Sequence, residues 1–232
     1  NSFNIEEDSL INILKNDTII IPKEFRSKLL VQGAAIILDS KHGHILSMIG
    51  GRNEAEYVDF FNRAVQAKRQ PGSVFKPFIY LTALEEGYSS CKQLMNQPLV
   101  FFLDDTTRWN PQNHDGSTGL LTTLRDGMKK SLNLISVRVV QELISPKDVK
   151  KTSERLGINT NIKPVDAIAL GVSEVYPLNI TMSYSAVANN GILNQPLAIN
   201  LIRDNNDLII KEFTSESVEV ADQKEIFILR DM

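Results

Sequence analysis

Ser73 and Lys76 stand three residues apart in Arg69-Gln70-Pro71-Gly72-Ser73-Val74-Phe75-Lys76-Pro77-Phe78, at the start of an apolar helical pattern. A hydroxyl with an amine one helical turn away is a nucleophile beside a base. The pairing suits acyl transfer through a covalent serine ester, with Lys76 taking the hydroxyl proton and the helix start favouring the negative charge that develops. The tetrad alone carries little weight, because ordinary Ser and Lys usage produces roughly one such match in a chain of this length. Ser89-Ser90-Cys91-Lys92 is a second match in the same chain. It follows Gly87, a candidate helix C-cap, and no period of 3.6 continues from it, so it reads as a loop. Ser73 instead has Pro71-Gly72 before it and Phe78, Ile79, Leu81, Ala83 and Leu84 after it, which puts the serine where a helix begins.

A second serine and an amide occur as Ser131-Leu132-Asn133, between two helical stretches, where a connection can reach into a cleft. Ser2-Phe3-Asn4 repeats the pattern in the polar N-terminal segment, so context must again decide. The elements that position these groups follow from local signals. Residues 1–30 mix charge with short apolar runs broken by Pro22 and read as a linker or edge segment, leaving 31–232 as the domain. Ala34 to Asp39 and Ile45 to Ile49 flank a turn-like Ser40-Lys41-His42-Gly43, predicting a β-hairpin apolar enough to expect helices on both faces. The pattern from Ser73 to Glu86 predicts a helix, with Pro77 tolerated in its first turn. Thr123 with Asp126 resembles a capping box; Ser145-Pro146 and Gly157 bracket another helix. Pro177 to Asn190, capped by Gly191, makes a fourth; two short strands around Asp204-Asn205-Asn206-Asp207 and a helical end near Gln223 to Met232 follow. Hairpin, helical block, hairpin is the order of an α+β domain.

Composition narrows the function. The 232 residues are 42% hydrophobic and 23% charged, with a net charge of −3, and the Lys147, Lys150 and Lys151 cluster is diluted by Asp148 and Glu154. Nucleic acid is not an expected partner. One cysteine, Cys91, excludes an intrachain disulfide and a thiolate metal cluster. His42, His44 and His114 have no metal-ligand spacing, and neither Glu85-Glu86 nor Asp104-Asp105 can direct two carboxylates to one point. No cofactor or metal is expected. No apolar run is long enough to span a bilayer, and any anchor or secretion signal is expected upstream.

Several longer segments recur together and in order: Gly50-Gly51-Arg52, Phe61-Asn62-Arg63-Ala64, Ala67 to Tyr80 around Ser73, Trp109-Asn110-Pro111-Gln112-Asn113, and Ser131-Leu132-Asn133. From about Val31 to Phe213 the chain closely resembles the transpeptidase domain of class A penicillin-binding proteins. The resemblance implies the fold shared by serine β-lactamases and D,D-peptidases, a helical block packed on an antiparallel sheet. It implies that Ser73 attacks the penultimate D-alanine carbonyl of a peptidoglycan stem peptide, that Lys76 is its base, that Ser131 relays a proton to the leaving amine, and that Asn133 binds the substrate's amide backbone. The Ser73 N–H is then one arm of the oxyanion hole. Peptidoglycan stem peptides and β-lactam antibiotics are the implied partners, on the periplasmic face of the cytoplasmic membrane. Trp109 and Asn113 match a segment near the cleft.

The pattern also departs from the family. Its third motif, K-T-G or K-S-G followed by Thr or Ser, does not occur; Lys151-Thr152-Ser153 is a near miss inside a predicted helix, with Ser where Gly is needed. The fold is therefore expected to be incomplete at the C-terminus, the third motif being carried by a further segment or chain. These 232 residues carry no match to the family's glycosyltransferase domain, so glycan polymerisation is not expected of this segment. Two rivals follow. A D,D-carboxypeptidase or β-lactamase would share Ser73 and Lys76 but pass the acyl group to water, and the only candidate acid, Glu154 near Asn159, does not fit by spacing. A penicillin-recognising binding module would need no third motif at all.

Overall fold

The computed structural model describes residues 31–52, 60–102 and 108–232. The expectations for residues 1–30, including Ser2 and Asn4, and for Asp104-Asp105 lie outside the described residues. The chain opens with an antiparallel hairpin of β1 (Ala35–Leu38) and β2 (Ile45–Ile49). A 3-10 turn over Gly72–Phe75 runs into α1 (Lys76–Glu85). Then come β3 (Gln93–Met95), β4 (Phe101–Phe102), β5 (Arg108–Trp109) and β6 (Leu121–Thr123), paired β3 with β6 and β4 with β5. Two short helices, α2 (Leu124–Lys129) and α3 (Asn133–Arg138), a π-helical turn over Val139–Leu143 and α4 (Pro146–Arg155) complete the middle of the chain. A 3-10 turn over Asp166–Leu170 precedes α5 (Pro177–Ala188), and β7 (Ile192–Asn194) pairs with β10 (Ser217–Glu219) around the β8 (Leu201–Arg203) and β9 (Ile209–Glu212) hairpin. The chain ends in α6 (Gln223–Asp231).

The helix boundaries have local causes. Thr123 accepts from the Asp126 amide at 3.0 Å and donates to its carboxylate at 2.9 Å, closing a reciprocal cap on α2. Ser145 caps α4 by accepting from the Asp148 amide, with Pro146 in the first helical turn. Gly87, at φ 86, ends α1 in a left-handed turn in which the Tyr88 amide reaches back to Ala83. The helix expected over Pro177 to Asn190 stops at Ala188; Asn190 and Gly191 form the left-handed turn beyond it.

α1 is the centre of the core. Phe78 to Leu84 are all buried, Thr82 with its hydroxyl satisfied by the Phe78 carbonyl and Thr152, so this helix is enclosed on every face. It packs against α2, α3, α4 and α6, with Ile135 and Val137 of α3 and Ile226 and Leu229 of α6 in the same core. Each such side chain contributes roughly 1.5–3 kcal/mol by leaving water.

The hairpin departs from expectation. α5 packs against β1, but among the described residues no helix covers the other face, where Ile37 and Ile49 are each 56% exposed. Leu197 bridges onto the hairpin beside His44 instead. Gly50 and Gly51 are dictated by what passes over them: a Cβ at Gly50 would fall 2.5 Å from the Asn62 side chain, and one at Gly51 2.5 Å from the Arg63 guanidinium. This is how the hairpin end and the Phe61-Asn62-Arg63 segment come together. No helix among the described residues is long and apolar enough to cross a membrane.

Candidate active site

Lys76 is the first residue of α1 and only 2% exposed. Its Nζ donates to the Ser131 carbonyl at 2.6 Å, the Ser131 Oγ at 3.0 Å and the Asn133 Oδ1 at 2.8 Å. Three acceptors match the three hydrogens of an ammonium, so the loop between α2 and α3 is tied to the base of α1 across 55 to 57 residues of sequence. None of the three acceptors is a carboxylate. Burial therefore acts unopposed by a counter-charge and lowers the ammonium pKa to about 8. The cause is desolvation alone.

Ser131 is built for this contact. Its φ is 54°, a left-handed conformation that costs a non-glycine residue roughly 1 kcal/mol. In it the carbonyl and the hydroxyl of one residue both meet the same nitrogen. Asn133 is fixed on both sides: Oδ1 receives Lys76, and Nδ2 donates to the Gln112 carbonyl at 2.8 Å. Among the described residues the second N–H of that amide has no acceptor. Behind it Asn113, nearly fully buried, accepts from the Leu134 amide at 3.0 Å and donates to Asn96 Oδ1 at 2.8 Å and to the Ser117 carbonyl at 2.7 Å. The Trp109 to Asn113 segment thus buttresses the Ser131 loop from the rear, while Trp109 packs against Phe101 with the rings tilted at 33° and centroids 4.9 Å apart.

Ser73 sits in the 3-10 turn with its side chain exposed. Among the described residues its hydroxyl is hydrogen-bonded neither to Lys76 nor to Ser131. The structure therefore brings Lys76, Ser131 and Asn133 into one cluster and sets Ser73 on the turn that leads into it. Gly72, at φ 57, turns the chain before Ser73, and the Gly72 amide donates to the Gly171 carbonyl at 3.3 Å. Arg69 and Val175 form a two-bond antiparallel bridge just upstream. The Lys76 amide closes onto the Ser73 carbonyl.

The decoy serine and its neighbours fall where the sequence puts them, in a turn after α1, and Cys91 is exposed. Lys151-Thr152-Ser153 lies inside α4 with Thr152 and Ser153 buried, away from any strand. Among the described residues no cluster of His, Cys, Asp and Glu could hold a metal. Gly171 and Tyr184, whose phenol reaches the Val74 carbonyl, carry no signal in the sequence: their partners lie about a hundred residues away and no local pattern marks them.

A family model described as the penicillin binding protein transpeptidase domain matches residues 33–232. The chain belongs to that family. Penicillin-binding protein 1A of Pseudomonas aeruginosa is 34% identical over 196 residues, covering 83% of this chain and 23% of its own length. The protein of the same name from Aquifex aeolicus is 33% identical over 205 residues, covering 87% of this chain and 27% of its own. The chain thus spans about a quarter of the length of these relatives. Penicillin-binding protein 1A of Haemophilus influenzae superposes with a TM-score of 0.79 at 25% identity, over 86% of this chain and 34% of that one. The fold is that of the penicillin-binding transpeptidase domain, mixed helix and antiparallel strand as the α+β reading had it.

Proposed function

We propose that this chain carries the acylating half of a peptidoglycan D,D-transpeptidase site, with Ser73 as nucleophile and Lys76 as its base. The observation that carries the reading is the buried Lys76 ammonium, held by Ser131 and Asn133 one helical turn from an exposed serine, with its pKa brought to about 8. A lysine at its ordinary pKa is a negligible base near neutrality; at about 8, roughly a tenth is neutral at pH 7.

The neutral amine has two hydrogens and one lone pair, so it releases one of its three acceptors and can take a proton. Ser73 Oγ bonds to the carbonyl carbon of the penultimate D-alanine while its proton passes to Lys76. The tetrahedral oxyanion faces the Ser73 N–H, a first-turn amide with no helical acceptor. As the C–N bond breaks, the departing D-alanine amine takes a proton through Ser131 Oγ, which lies 3.0 Å from Lys76 Nζ. An amine from a neighbouring stem then attacks the ester, and Ser73 leaves with its proton restored. The free N–H of Asn133 suits a substrate carbonyl. A β-lactam enters the same sequence and stops at the ester. The family resemblance supports an extracytoplasmic site, a membrane anchor upstream, and a further segment carrying K-T-G that supplies the second oxyanion donor and holds the substrate carboxylate.

Intact mass after incubation with a penicillin tests the assignment. A stable adduct of one penicillin per chain is expected, absent in Ser73→Ala. An adduct that persists in Ser73→Ala would remove the nucleophile from this position, and rapid release of hydrolysed penicillin would move the chain to the hydrolase class.

A further inference from the structure

The Val74 carbonyl, one residue after Ser73, lies in the 3-10 turn. In i to i+3 bonding such a carbonyl is served by the N–H of residue 77. Residue 77 is Pro77, which has none. The missing donor comes from elsewhere: the phenol of Tyr184, on α5 and 110 residues away in sequence, donates to the Val74 carbonyl at 2.8 Å. On the other flank of Ser73 the Gly72 amide is held by the Gly171 carbonyl. Pro71, the N-cap residue of this turn, supplies no side-chain cap. The segment that presents Ser73 is thus held from outside, by α5 on one side and the Gly171 loop on the other.

We propose that Tyr184 is a positioning residue for Ser73, its hydroxyl standing in for the N–H that Pro77 lacks and fixing the turn from which the Ser73 side chain projects. This rests on the reading of Ser73 as nucleophile. Attack on a carbonyl tolerates little displacement of the attacking oxygen, so a turn free to rock loses rate before it loses binding. Burial holds the Tyr184 phenol above its ordinary pKa, and it remains a donor throughout the range in which Lys76 titrates.

Tyr184→Phe keeps the ring, which lines an apolar cavity with Pro77, Phe78 and Val187, and removes only the hydroxyl. Acylation of the purified chain by a fluorescent penicillin, followed against drug concentration, separates the maximal rate from affinity. Tyr184→Phe is expected to lower the maximal rate roughly tenfold with the half-saturating concentration little changed. Pro77→Ala restores an N–H at residue 77 and is expected to recover most of that loss when combined with Tyr184→Phe. An unchanged maximal rate in Tyr184→Phe overturns the proposal, and so does a loss that Pro77→Ala leaves untouched, since a general structural defect would not be repaired there. Ser73→Ala keeps the two readings apart: an adduct in that variant defeats the nucleophile assignment, whereas its loss there beside an undiminished rate in Tyr184→Phe defeats only the positioning role. Amide exchange reads the same contact without chemistry, in a sample that forms no adduct as well as in one that does. Faster exchange confined to residues 72–78 in Tyr184→Phe supports the role, and unchanged exchange there overturns it.

Discussion

At the scale of single residues, the site is organised around one buried charge. Lys76 has given up water for three neutral oxygens, and the missing counter-charge is what leaves its pKa at about 8 rather than near 10.5. Two consequences follow with defined signs. The proposed base is the neutral amine, whose population rises tenfold per pH unit below 8 and levels off above it. The acylation rate is therefore expected to climb with that slope and bend near pH 8 in the wild type, while Lys76→Met acylates at least a hundredfold more slowly, within the roughly 10²–10⁴-fold range typical of general acid–base catalysis. A bend below pH 6, or a flat profile, would take the base role from Lys76. For stability, a depressed amine pKa means that the unfolded chain binds the proton more tightly than the folded one between about 8 and 10.5. Stability then rises with pH across that window in the wild type relative to Lys76→Met, and below pH 8 the full cost of the buried ammonium is present. Urea midpoints at pH 7 and pH 10 for the two proteins read that difference.

Among the secondary-structure elements, legibility followed range. Thr123 with Asp126, Ser145-Pro146 with Gly157, and Gly87 after α1 were readable because capping is decided within five residues. The β3–β6 and β7–β10 pairs were not readable, being three residues long with partners about 25 residues away, and nothing local marks such strands. Nor does the sequence announce the π-helical turn at Val139–Leu143. The site divides in the same way. Ser73, Lys76, Ser131 and Asn133 came from motif order, whereas the roles of Gln112, Gly171 and Tyr184 depend on contacts across the fold. Gly171 illustrates the difference. It has φ 64, and a Cβ built on it would lie 2.3 Å from the Gly72 carbonyl oxygen, 2.9 Å from the Gly72 nitrogen and 2.9 Å from the Phe75 Cβ. Those neighbours are main chain and a buried aromatic, so no rotamer change relieves the clash. Gly171→Ala is expected to destabilise the domain by at least about 2 kcal/mol through left-handed strain and overpacking together. Gly33→Ala, with nothing within 4 Å of the added methyl, is the neutral comparison. Equal urea midpoints for the two variants would mean that the Gly171 loop does not press on the Ser73 turn.

Taken as a whole molecule, the domain is a rigid helical centre with thin β-structure around it. Every sheet among the described residues has two strands, and a two-stranded pair alone is marginal in water. β9 is exposed along its full length, and Leu208, Ile209 and Ile210 are each at least 60% exposed. α1, by contrast, is enclosed on all sides, and Lys76 is its first residue. The proposed base therefore stands on the most enclosed element described, and Ser73 on the short turn joined to it. That arrangement suits a site whose charge must stay dry while its proposed nucleophile stays accessible. It also sets an order of local opening, because exchange protection follows buried contact rather than hydrogen bonding alone. Amides from Ile79 to Leu84 are expected to exchange only by global unfolding, with the denaturant dependence of the whole domain. Amides of β8 and β9 are expected to exchange through local opening that denaturant barely affects. Native-state hydrogen exchange over a series of low urea concentrations distinguishes the two. If β9 amides proved as protected and as urea-sensitive as those of Leu81 to Leu84, the hairpin would belong to the same cooperative unit as the core, and the division between rigid centre and thin periphery would be wrong.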